Sequence, residues 1–280
     1  MTFNPDAIAT LRALFGAFEG WLMAFLLCLP RLYAFILSSQ LLPPTAVPRL
    51  ARTVAIAVLA LPLTPAVAPF ADDLVGTDVG RFFAYFGKEF ALGFLMGWAV
   101  VWVFWSVQAA GAFIDNQRGA AIASSIDPLQ GHESSPLGLL FSQAFITYFF
   151  SVGGFLVVTG ILYGSFAAWP VDRFLPIYSE AFPAYALGLL DLGMRLTVIY
   201  AAPVIAVMFL AEFALALVSR FAPQVQVFIL AMPIKSGIAI LLLIFYLPIL
   251  MRYAIGESGD VSRWTDRLFE ILEAGRAVDR

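Results

Sequence analysis

Six stretches of this chain, residues 13–42, 50–70, 90–113, 137–168, 187–218 and 225–251, are apolar over lengths near or above the roughly 20 residues that a helix needs to cross a bilayer. Nothing else in the sequence limits the fold so strongly. In hydrocarbon every backbone N–H and C=O must find its partner within the protein, and a helix does so within its own segment. The expected fold is therefore an all-α membrane protein with about six hydrophobic helical segments. With 61% hydrophobic and 12% charged residues, the chain lies far from the roughly 25% charged residues of a soluble domain. Its charges crowd into the last 29 positions, from Arg252 to Arg280, so the hydrophobic body, residues 1–251, ends near Met251 and a charged tail, 252–280, follows.

Several of these segments are imperfect spans. The first contains Glu19, Pro30 and Arg31, the second Pro62, Pro65 and Pro69, the fifth Asp191, Arg195 and Glu212, and the sixth Lys235. Each ionisable group at the centre of a lipid-exposed helix costs about 2.5–3.5 kcal/mol on insertion scales. Protein must cover them, either in a compact bundle with the charges turned inward or in a larger assembly whose subunits supply the surroundings. If residues 187–251 form an antiparallel hairpin turning near Pro223 and Gln224, Glu212 and Lys235 lie equally far from the turn and meet across it. Asp191 and Arg195 can pair at i and i+4. The five tail arginines favour a cytoplasmic C-terminus and, with six spans, a cytoplasmic N-terminus.

Between the third and fourth segments lies GAFIDNQRGAAIASSIDPLQGHESSP, residues 111–136, with Asp115, Arg118, Asp127 and Glu133. Small residues permit close backbone approach and the charges require water or protein partners, so this segment suits a surface lining or closing an aqueous path. The intervals 71–89 and 170–186 read as connecting loops. Gly16/Gly20, Gly93/Gly97 and Gly160/Gly164 are spaced for tight helix contacts. The stripes Trp98, Trp102, Trp105 and Phe141, Phe145, Phe149 read as core packing.

Other functions find little footing. A net charge of −3 without a basic run argues against nucleic acid as a partner. His132 is the single histidine and Cys28 the single cysteine, which removes a histidine-rich or cysteine-rich metal site. There is no phosphate-binding glycine loop and no nucleophile elbow. Ser124, Ser125, Ser134 and Ser135 lie near His132 without an orienting base or oxyanion donors. The chain is expected not to be an enzyme and to need no cofactor.

The segment DNQRGAAIASSIDPLQGHESSPLG, the helix and exit SVGGFLVVTGILYGSFAAWPV, and the run EFALALVSRFAPQVQVFILAMPIKSG occur in the order found in one family. On them the chain, from its first apolar segment to about Met251, resembles the T subunit of the type III secretion export apparatus, a family related to FliR of the flagellar export gate. The resemblance implies an inner-membrane, hetero-oligomeric gate built with R and S subunits, contacting the U subunit and passing unfolded secreted proteins. It also implies that the loop from Gly111 to Pro128 plugs the central path. Asp115, Asn116, Gln117, Arg118 and Asp127 would supply its polar contacts, and Gly111 and Gly119 its freedom to move. The hairpin 187–251 resembles the two-helix S subunit, which would place Glu212, Arg220, Pro223, Gln224 and Lys235 at subunit contacts. The competing reading is a secondary transporter or channel for ions or small molecules, suggested by charged and proline-broken helices.

Overall fold

A computed structural model describes residues 5–44, 46–74, 79–119, 135–173, 180–222, 227–259 and 261–277. Among them the chain is all-α: α1 (Pro5–Ser39), α2 (Arg49–Ala60), α3 (Thr64–Leu74), α4 (Val79–Gln117), α5 (Pro136–Ser151), α6 (Gly154–Ala168), α7 (Phe182–Phe221), α8 (Val227–Ser258) and α9 (Val261–Ala277). Phe18–Ser39, Val79–Gln117, Phe182–Phe221 and Leu230–Ala274 are long and apolar enough to cross a membrane. The second and fourth expected segments are instead bent pairs, α2 with α3 at 70° and α5 with α6 at 78°.

The bends have local causes. Pro62 and Pro65 flank the first, where proline lacks an N–H and disfavours helical backbone before it. Gly153, at φ +83°, makes the second. Two expected boundaries move. Much of the interval 71–89, read as a connector, is helical, because α4 starts at Val79 rather than near 90, and α4 continues to Gln117. The tail is also structured: in α9, Thr265, Leu268, Ile271 and Leu272 are buried, a one-sided stripe typical of a docked amphipathic helix.

The chain divides into two compact units, one of residues 1–101, 156–183 and 262–280, the other of 102–155 and 184–261. In the first, α1 packs on α2 and α3, and α4 crosses α1 at the expected glycine pair. A Cβ at Gly93 would overlap the Arg31 carbonyl, and one at Gly97 the Ser38 hydroxyl and the Phe35 carbonyl. Ser38 Oγ donates across this crossing to the Phe94 carbonyl at 3.2 Å. Gly16, Gly160 and Gly164 meet nothing and stay open. Cys28 is buried, a small hydrophobe as expected.

In the second unit the phenylalanine stripe is core: Phe104 meets Phe145 and Phe149 edge-on, each at 5.2 Å, and Phe141 is fully buried. Trp102 and Trp105 are only half-buried, and Trp102 lies over Gly193, where a Cβ would strike its ring; Trp98, in the first unit, is half-buried as well. Asp191 and Arg195 are both exposed on α7, and no ion pair joins them. Phe209, Phe213 and Phe221 of α7 and Ile244 and Phe245 of α8 face outward. Only 22% of the apolar window is buried in each of these spans, against 56% in those of α1 and α4. The outward faces of α7 and α8 therefore rely on lipid or on other chains for shielding.

Candidate gating site at the end of α4

The expected loop start at Gly111 is displaced: Gly111 through Gln117 are the last two turns of α4, and the helix ends at Arg118 and Gly119. The helix persists because Ala110 and Ile114 are fully buried on its inner face. Gly111 serves close approach rather than movement, since a Cβ there would overlap the Leu137 carbonyl and the Gly138 nitrogen at the start of α5. Gly119 does have the special backbone expected of it. Its φ is +84°, a conformation glycine adopts at helix ends, and its N–H donates to the Asn116 carbonyl at 3.1 Å.

Asp115 is 2% exposed and holds both ends of the α4–α5 connection. One oxygen accepts from Arg118 Nε at 2.7 Å and pairs with Nη2 at 2.6 Å. The other accepts from Ser135 Oγ at 2.5 Å and the Leu137 N–H at 2.8 Å. Ser135 in turn caps α5, accepting from the Gly138 N–H at 2.8 Å with Pro136 at the first helical position. A carboxylate at a helix N-terminus satisfies N–H groups that have no partner within the helix and sits favourably in the helix dipole.

The expected pair across the hairpin is present: Lys235 Nζ lies 3.0 Å from Glu212 Oε2. Lys235 also donates to the Gln117 carbonyl at 3.3 Å, so the hairpin reaches the same helix end that Asp115 fastens. Asn116 is exposed, Gln117 half-buried, and Arg220 exposed in the last turn of α7. Asp127, Pro128, Pro223 and Gln224 lie outside the described residues.

Sequence reasoning missed a second charged cluster, in the first unit. Arg31, fully buried, binds Glu89 through Nε at 2.6 Å and Nη2 at 3.0 Å, Ser165 Oγ at 3.1 Å and the Trp169 carbonyl at 2.8 Å. Its guanidinium carbon sits 4.0 Å above the Phe166 ring. Lys88 lies 2.6 Å from Glu89 and donates to the Pro170, Val171 and Arg173 carbonyls at 3.3, 2.7 and 2.8 Å. The carbonyls partner the two cations where the single carboxylate cannot. Arg31 was the available signal, because an arginine inside an apolar segment needs a counter-charge from another.

An all-helical, multi-pass membrane chain, with charges placed at helix ends and crossings and a polar connection fastened at its base, is the class of protein these features define. Residues 22–260 match the family described as bacterial export proteins, family 1. The Yop proteins translocation protein T of Yersinia pestis is 42% identical over 238 residues, covering 83% of this chain and 89% of that protein. The surface presentation of antigens protein SpaR of Salmonella typhimurium is 33% identical over 160 residues, 57% of this chain and 59% of SpaR. The flagellar biosynthetic protein FliR of Escherichia coli is 27% identical over 239 residues, 82% and 87% of the two chains. The chain belongs to the bacterial export proteins, family 1, the FliR-like family of the export apparatus. It is a membrane component of a protein-export channel, and the competing reading as a carrier of ions or small molecules falls on that membership.

Proposed function

We propose that this chain is the T-type subunit of a type III export gate in the bacterial inner membrane, assembled with R and S subunits and in contact with the U subunit. In this reading residues 1–251 are the gate domain, and residues 111–136 carry the element that narrows the path of unfolded secreted proteins. The hairpin 187–251 meets neighbouring subunits through Glu212, Arg220, Pro223 and Gln224, with Lys235 behind Glu212, and residues 252–280 form an appended tail. The observation that carries the reading is the Asp115 clasp, which ties Arg118 and Ser135, the two ends of the polar connection, to one buried carboxylate. A polar segment held at both ends can close a passage without offering the specific pocket that would trap one substrate and stall transport. The outward faces of α7 and α8 supply apolar surface for neighbouring subunits.

Replacing residues 120–134 by a short Gly-Ser link, in an otherwise assembled apparatus, tests the reading. Ion leakage through the complex should rise and secretion should change. Unchanged leakage together with unchanged secretion would overturn the gating role. Co-purification should bring down R and S chains in unequal copy number, and recovery of the chain as a stable lone protein would overturn the assembly.

A further inference from the structure

Lys235 makes one bond beyond its ion pair that a merely structural pair does not require. Its ammonium pairs with Glu212 Oε2 at 3.0 Å and donates to the Gln117 carbonyl at 3.3 Å. That carbonyl is among the last of α4, which have no acceptor role inside the helix and sit at the negative end of its dipole. One turn earlier on α8, Met232 lies beside Gly119, where an added Cβ would stand 3.5 Å from Met232 Cγ. So α8 touches the end of α4 at two positions on one face, three residues apart. Asp115, two residues before Gln117, fastens the same helix end to α5.

We propose that Lys235 is a positioning residue for the gate. Through the Gln117 carbonyl it sets where α4 ends and hence where the polar connection begins, and Glu212 holds its ammonium in place. The inference rests on the gating reading above. The side chain of Glu212 is 48% exposed while that of Lys235 is 11% exposed. Glu212 is thus the accessible member of the pair, and Lys235 the member held against the end of α4.

The test separates the ion pair from the donor. Complexes containing this chain are purified with their partner subunits, scored for assembly by co-purification, and reconstituted for ion conductance. Glu212→Gln removes the pair and loosens the ammonium but leaves Lys235 able to bond Gln117, so leakage should rise by about threefold, short of the donor-less variants. Glu212→Gln with Lys235→Met removes both without leaving an unpaired buried charge. Loss of a charged hydrogen bond should then raise leakage about tenfold. Lys235→Arg keeps charge and donor and should hold leakage at the parent value.

If the neutral double variant does not assemble, Glu212→Lys with Lys235→Glu keeps an ion pair and loses the donor, and should leak as the double variant is expected to. Equal leakage from Glu212→Gln and the donor-less variants would overturn the inference, since only the ion pair would then matter. Complexes lacking residues 120–134 serve as the reference. If they leak and the donor-less variants stay tight, the positioning role alone fails; if they too stay tight, the gating reading fails with it.

Discussion

The two charged clusters of this chain differ in how far water can reach them. Around Arg31 everything is sealed: the side chains of Arg31 and Glu89 are fully buried and that of Lys88 is 3% exposed. At the end of α4 the exposure is graded, from 3% for Asp115 through 11% for Lys235 and 15% for Arg118 to 48% for Glu212. A sealed pair resists any exchange of partners, because each charge removed leaves another without compensation. A graded set can trade partners with water or with a neighbouring chain at small cost. The first cluster fastens α1, α4 and the exit of α6 into a frame. The second has the properties of an adjustable joint.

The sealed cluster gives the largest expected effect. Glu89→Ala strands two buried cations and should cost about 3–5 kcal/mol, read as a lower Tm of the detergent-purified complex or as loss of the chain from membranes. Arg31→Met should cost less, because Glu89 keeps Lys88; an equal cost for both would show that Lys88 contributes nothing to the balance. Next comes Asp115→Ala, which unfastens Arg118, Ser135 and the Leu137 N–H together. A loss of about 1–3 kcal/mol is expected for buried donors left without an acceptor, with faster proteolysis at the α4–α5 connection as the site-specific readout. Smallest is Glu212→Gln, below about 1 kcal/mol in stability. A cost as large as that of Glu89→Ala would erase the distinction between the two clusters.

The contrast also accounts for what could be read from the sequence. The Glu212–Lys235 pair was legible because both charges interrupt apolar runs at equal distances from one turn. Glu89 was hidden by its neighbours: with Arg81, Lys88 and several glycines nearby, residues 71–89 look like a solvated connector, although α4 covers 79–89. Tertiary pairing overrode local polarity there. The end of α4 carried a better signal than the one used. Arg118 followed by Gly119 is a helix C-terminal pattern, and Ser135 followed by Pro136 is a helix start. Together they place the helix boundaries where the structure has them, rather than at Gly111. The clasp itself was not legible, because nothing in spacing shows that one carboxylate binds residues on both sides of a connection. The six apolar segments were all legible, but not the bends, which Gly153 and the prolines produce only once packing selects the angle.

Fastening Arg118 and Ser135 to the same carboxylate uncouples the length of what lies between them from the helices on either side. Closure entropy rises only slowly with the number of residues, about 0.6 kcal/mol for each doubling. Exchanging residues 120–134 is therefore expected to leave the ends of α4 and α5 fastened in place, so that a changed leak reports on the insert and not on a disturbed scaffold.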